Sequence, residues 1–200
     1  MPTTSTPFDG VLNQVLHGDA LTQLRALPAG LVDTVVTSPP YYCQRDYTGE
    51  HQLGLEETPE AYIDRLAAVF RECRRTLKDS GSLWLVIGDK YLDGELLGMP
   101  WRVALALKAD GWILRSDIIW HKPNAMPSAV KTRPTTDHEY VFFFTKSPDY
   151  YYDADAIREP HVTFTEKSRM RGGRRHFFQP GGTPEQGKNK GNPNLHHGRW

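Results

Sequence analysis

The apolar run Val32-Asp33-Thr34-Val35-Val36-Thr37 breaks off at two adjacent prolines, Pro39 and Pro40, with Ser38 before them and Tyr41 and Tyr42 behind. β-Branched residues favour a strand, and a nearly continuous apolar run predicts one buried as in a parallel sheet. Neither proline has an N–H for a ladder, so the chain must leave the sheet at this point. A stiff loop is thereby fixed to a strand end, which is where α/β sheets bind their ligands.

The segments around this strand set the fold class. Thr58 is a suitable N-cap and Pro59 suits the first helical position. Tyr62, Leu66, Val69, Phe70, Cys73 and Leu77 then recur at three-and-four spacing on one helix face, and Asp79-Ser80-Gly81 ends the pattern. Residues 82–89 read as the next strand, closing at Gly88-Asp89. Pro100 opens a second helix that runs to about Lys108 and closes at Gly111. Residues 112–120 and 139–146 read as two further strands. Upstream, 11–21 reads as a short strand ending at Gly18-Asp19, and 21–30 as a short helix closed by Pro28 and Gly30. Strands alternating with helices predict an α/β domain with a largely parallel sheet.

At 200 residues the chain suits one domain with a core of useful size. It has no apolar stretch near the length of a membrane span, and its first ten residues lack the basic-then-apolar pattern of a leader. A cytoplasmic location is therefore expected. Cys43 and Cys73 are too few for a disulfide framework or a zinc site, and His176, His196 and His197 lack metal-ligand spacing. Cys73 falls on the apolar helix face, and Cys43 reads as a loop residue. The net charge of zero hides an asymmetry: residues 167–200 hold eight basic side chains and only Glu185 as an acid, a net of +7. That stretch is rich in Gly, Pro and Asn. It reads as a flexible tail, either attracted to polyanions or simply solvated. The expected organisation is a folded region over 1–160 and a basic tail over 161–200.

The chemistry open to the diproline loop is narrow. Proline residues present carbonyls without competing N–H donors, Ser38 adds a side-chain oxygen, and Tyr41 adds a flat ring. Two acceptors beside an aromatic plane fit a planar ring bearing an exocyclic amino group. One amino hydrogen would go to Ser38 and one to a proline carbonyl. Stacking on Tyr41 is worth roughly 1–3 kcal/mol per base. Drawing both hydrogens toward acceptors localises the nitrogen lone pair for attack on an electrophilic methyl group.

The stretch VDTVVTSPPYY resembles the catalytic motif of the amino-methylating DNA methyltransferases, which modify cytosine N4 or adenine N6. The similarity continues through GSLWLVIGDKY and through the long block from Ile118 to Pro160, so it covers about residues 11–160. The resemblance implies a Rossmann-like fold, S-adenosylmethionine as methyl donor, and a base flipped out of double-stranded DNA. By motif match, Ser38, Pro39, Pro40 and Tyr41 are the catalytic and base-binding positions, and Asp19 lies near the cofactor pocket. A motif that begins with Ser leans toward cytosine N4. Asp19 reads equally well as a turn aspartate. His121 and Lys122 stand ahead of Pro123, either facing DNA or closing a strand.

The methionine-binding F-x-G-x-G loop of that family is not found. Gly172-Gly173 and Gly181-Gly182 lie in a polar stretch with no buried strand before them. The expectation is an incomplete fold without the cofactor-motif strands, which by itself binds S-adenosylmethionine poorly. A fragment, one half of a split enzyme completed by a second chain, and a non-catalytic DNA-binding remnant all fit this pattern. Methylation of a small molecule or a protein glutamine is a weaker alternative, since related N-P-P-Y loops act on glutamine.

Overall fold

The structure is a computed structural model that describes residues 11–49 and 51–158. The basic tail therefore lies outside the described residues. The chain divides into two units, Met1–Tyr151 and Tyr152–Trp200. In the second, Asp153 accepts hydrogen bonds at 3.1 Å from the backbone N–H groups of Asp155 and Ala156, and Arg158 pairs with Asp155 at 2.5 Å.

The first unit runs α1 (Ala20–Ala26), β1 (Val32–Thr37), α2 (Pro59–Thr76), β2 (Leu77–Ile87), β3 (Tyr91–Leu92), β4 (Glu95–Leu96), α3 (Met99–Ala109), β5 (Ile113–His121) and β6 (His138–Thr145). β1, β2, β6 and β5 form one sheet in that order. β1 pairs in parallel with β2, while β6 is antiparallel to both β2 and β5. Three of these four strands therefore share a direction and β6 alone is reversed. The class is α/β as expected, and the sheet is mixed because β6 returns between two co-directional strands.

Local chemistry explains the elements. The side chain of Thr58 accepts from the backbone N–H of Ala61 at 3.2 Å, and Pro59 occupies the first turn. α2 buries Tyr62, Leu66, Ala67, Phe70, Cys73 and Thr76. Its stripe packs on the β2 residues Leu83, Leu85 and Ile87 and on Phe142 and Phe144 of β6 in one core cluster, which α3 joins through Met99, Val103, Ala104 and Leu107. β2 starts at Leu77, earlier than the apolar pattern implies. The register jumps from Val32 opposite Leu77 to Thr34 opposite Ser82, so residues 78–81 form an excursion. Gly81 permits it, since a Cβ there would stand 2.9 Å from the Lys78 carbonyl.

Two expectations are corrected. Residues 11–19 form no strand: Val15 is 95% exposed and has no sheet to join. β1 is not buried either. It is an edge strand among the described residues, and Val36, level with Trp84 on the sheet face away from the core, is 69% exposed. One element not anticipated is the β3–β4 hairpin, which turns on Asp93 (φ 50°) and Gly94 (φ 86°). Asp-Gly is the dipeptide that such a two-residue turn favours. Among the described residues no helix is long and apolar enough to cross a membrane.

The two sheet faces should respond differently to truncation. Leu85→Ala, at a fully buried position, should cost about 2–5 kcal/mol in urea unfolding. Val36→Ala should change stability by only about 0.5 kcal/mol. Equal losses at the two sites would contradict this core.

Candidate active site

The diproline loop leaves the carboxyl end of β1 beside the carboxyl end of β2, and it is held from below. Tyr62, fully buried on α2, donates its hydroxyl to the Pro40 carbonyl at 2.9 Å. Tyr42 is buried in the core, and the backbone N–H of Cys43 donates to the Gly54 carbonyl at 2.6 Å. The Lys90 ammonium donates to the Cys43 carbonyl. Cys43 itself adopts φ 49°, so its role here is in the loop's backbone path.

Above this anchor, the polar groups form a chain. The Ser38 hydroxyl donates to the Tyr41 hydroxyl at 3.2 Å, and Tyr41 donates to Glu139 Oε2 at 3.1 Å. Lys122 pairs with the other oxygen of Glu139. Glu139 stands on β6 at the end where Gly88 follows β2. Gly88 is needed there, because a Cβ would come within 2.8 Å of the Tyr41 ring. Asp89, next in the chain, caps α3 by accepting from the Met99 N–H at 3.0 Å.

A cavity of about 340 Å³ opens over this chain, lined by Ser38, Pro39, Tyr41, Gln44, Arg45, Tyr47, Lys122 and Glu139. A second cavity of about 460 Å³ shares Gln44, Lys122 and Glu139 with it and extends over Gly88, Asp89, Lys90 and His138. Burial chiefly pushes the Tyr41 phenol up to about 12. The bond donated by Ser38 opposes that shift and the Glu139 carboxylate reinforces it. Tyr41 is therefore a neutral donor at physiological pH.

Ser38, Pro39 and Tyr41 thus share one cavity wall, with Pro40 immediately behind them. Asp19 is not among the lining residues. It caps α1 instead, accepting from the Thr22 N–H at 2.9 Å and the Thr22 hydroxyl at 2.7 Å, and these bonds hold its carboxyl below the ordinary range. His121 lies 3.5 Å from Asp137 and is mostly exposed. Glu139 is the residue that sequence reading passed over. The signal was a carboxylate standing immediately before Tyr140-Val141-Phe142-Phe143-Phe144, where an acid at a strand entrance needs a reason. Among the described residues no cluster of His, Cys, Asp or Glu is set to hold a metal ion.

A family model described as DNA methylase, of the N6/N4 methyltransferase type, matches residues 32–197. The chain belongs to this DNA methylase family. It is 49% identical over 175 residues to the type II methyltransferase M.XycI of Xanthomonas campestris pv. cyanopsidis, covering 73% of this chain and 58% of the relative. It is 45% identical over 174 residues to M.Cfr9I of Citrobacter freundii, again covering 58% of the relative. The chain therefore spans a little over half the length of these relatives. Its fold is similar to that of the PvuII DNA methyltransferase (cytosine-N4-specific), with a TM-score of 0.60 and 26% identity over 70% of this chain and 51% of that one. It is also similar to the Thermus thermophilus protein TTHA0409 in complex with S-adenosyl-L-methionine, with a TM-score of 0.53 and 30% identity over 81% of this chain and 62% of that one.

Gly54, Gly81 and Gly88 could each have admitted a ligand closely. All three spaces are filled by the protein itself, by the Tyr41 carbonyl, the Lys78 carbonyl and the Tyr41 ring. These three glycines therefore form no cradle for S-adenosylmethionine.

The titrating groups of this core give a defined alkaline limit. Burial raises Tyr41 to about 12 and Cys73 to about 11, so the native state keeps both protons to higher pH than the unfolded chain does. The stability linked to them is full below about pH 9 and is lost as pH rises toward 12. Urea midpoints should fall across that window, and Tyr41→Phe should make the fall shallower between pH 10 and 12. A midpoint that rises with pH there would contradict the burial.

Proposed function

We propose that this chain carries the acceptor half of a site-specific DNA methyltransferase that acts on the exocyclic amino group of a flipped base, cytosine N4 in the first place. The observation that carries the reading is the cavity in which Ser38, the diproline backbone and Tyr41 stand side by side. The Pro40 carbonyl is engaged by Tyr62, whereas the Pro39 carbonyl has no partner among the described residues. The two acceptors for the amino hydrogens are then Ser38 Oγ and the Pro39 carbonyl, with the Tyr41 ring beside the base. Pro40 fixes the loop, and Asp19, which caps α1, is proposed near the cofactor on the motif match alone.

Cytosine N4 is favoured over adenine N6 by the serine that opens the motif and by the likeness to the PvuII enzyme, which is cytosine-N4-specific. Double-stranded DNA is the partner this reading requires, and the cytoplasm is the compartment it implies. S-Adenosylmethionine, bound by the TTHA0409 relative, would supply an electrophilic methyl group. The residues of this chain hold the base, exclude water from one face, and draw the amino hydrogens away from the nitrogen lone pair. The segment by which the relatives exceed this chain is the proposed source of the donor site, whether in the same polypeptide or a second one.

In an enzyme completed with the part of M.XycI that the chain does not span, Ser38→Ala should slow single-turnover methyl transfer on the order of 10²-fold. DNA affinity should stay within about twofold, because Ser38 addresses the amino group and not phosphates. Unchanged turnover would remove Ser38 from the chemistry.

A further inference from the structure

A serine hydroxyl can present either a proton or lone pairs to a ligand, and only lone pairs serve an amino group that must be relieved of its hydrogens. Which of the two Ser38 presents depends on where its own proton goes. An ionised carboxylate accepts and never donates, so Glu139 Oε2 requires the Tyr41 hydroxyl to donate toward it at 3.1 Å. The remaining lone pairs of Tyr41 can then only accept, and Ser38 is placed to donate to them at 3.2 Å. With its proton committed inward, Ser38 is left with lone pairs facing the cavity. Lys122 pairs with the second oxygen of Glu139, which holds the carboxylate in place. Gly88 completes the arrangement by letting the Tyr41 ring lie close enough to reach both partners.

We propose that Glu139, held by Lys122, is a positioning residue that fixes the direction of the Ser38–Tyr41–Glu139 hydrogen-bond chain, so that Ser38 Oγ meets the amino group as an acceptor. This rests on the proposed acceptor role of Ser38 and assigns Tyr41 a second task beyond stacking. The titratable groups around the Tyr41 hydroxyl are Glu139 from β6, Lys122 from the strand-end segment after β5, Arg45 and Tyr47 across the cavity, and Tyr62 from α2.

The direction of the chain has a signature that a merely structural contact lacks. If Ser38 donates to Tyr41, removing it takes away a bond that stabilises the phenolate, and the Tyr41 midpoint rises. If Tyr41 donates to Glu139, removing the carboxylate takes away the negative charge that holds the phenol neutral, and the midpoint falls. The experiment is fluorine NMR titration of the 200-residue chain labelled with fluorotyrosine, whose ring fluorine lowers the midpoint of every phenol. Tyr41→Phe assigns the signal. Glu139→Gln should lower the Tyr41 midpoint by on the order of one pH unit, and Ser38→Ala should raise it. Should the glutamine variant fold poorly, Glu139→Asp withdraws the carboxylate from the hydroxyl and should lower the midpoint too. Shifts of the same sign in the serine and glutamate variants, or a midpoint that ignores Glu139, would overturn the proposal. The titration needs neither DNA nor cofactor, so its outcome is separate from that of the methylation assay.

Discussion

The site depends on one hydrogen bond, from the hydroxyl of the buried Tyr62 to the Pro40 carbonyl. A loop that leaves a sheet through two prolines cannot be fixed by ladder bonds, since it has no N–H groups to give. It must be gripped by its carbonyls and its side chains. Tyr62 does this from the N-terminal end of the apolar face of α2, at a depth where its own hydroxyl needs a partner. The same core that stabilises the domain therefore sets the height of the diproline above the sheet, and burial raises the Tyr62 phenol further from ionisation.

From that anchor the rest follows in sequence. Tyr42 turns down into the core and Tyr41 turns up, so two adjacent tyrosines serve opposite ends of the structure. Tyr41 can lie flat over the end of β2 only because residue 88 is glycine. Lying there, it meets a carboxylate carried by β6, the one reversed strand of the sheet among the described residues. The reversal matters: because β6 runs against β2, its first residues stand beside the carboxyl ends of β1 and β2 and can reach the acceptor loop.

Local chemistry was legible where one segment contained its own explanation. The cap at Thr58, the stripe from Tyr62 to Cys73, and the exit of β1 at Ser38-Pro39-Pro40 are all written within a few residues. The stretch around residues 11–19 misled as a strand because alternating apolar residues need a sheet to join, and none stands beside it. β1 read as buried because Val32, Val35 and Val36 are apolar, but burial belongs to neighbours, and an edge strand has them on one side only. Glu139 lies 98 residues from Tyr41, and no local pattern carries such a pairing. Pro39 and Pro40, alike in sequence, differ in the fold for a similar reason: Tyr62, 22 residues from Pro40, bonds to the Pro40 carbonyl and leaves that of Pro39.

The account's central claim is that these residues present hydrogen-bond acceptors to a base amino group, with cytosine N4 as the target. The most direct measurement is nucleoside mass spectrometry of DNA from a host without methylation of its own, expressing the chain together with the part of M.XycI that it does not span. The account predicts N4-methyldeoxycytidine that disappears when Ser38 is replaced by alanine. N6-methyldeoxyadenosine in its place, or N4-methyldeoxycytidine that persists at full level without the Ser38 hydroxyl, would contradict it.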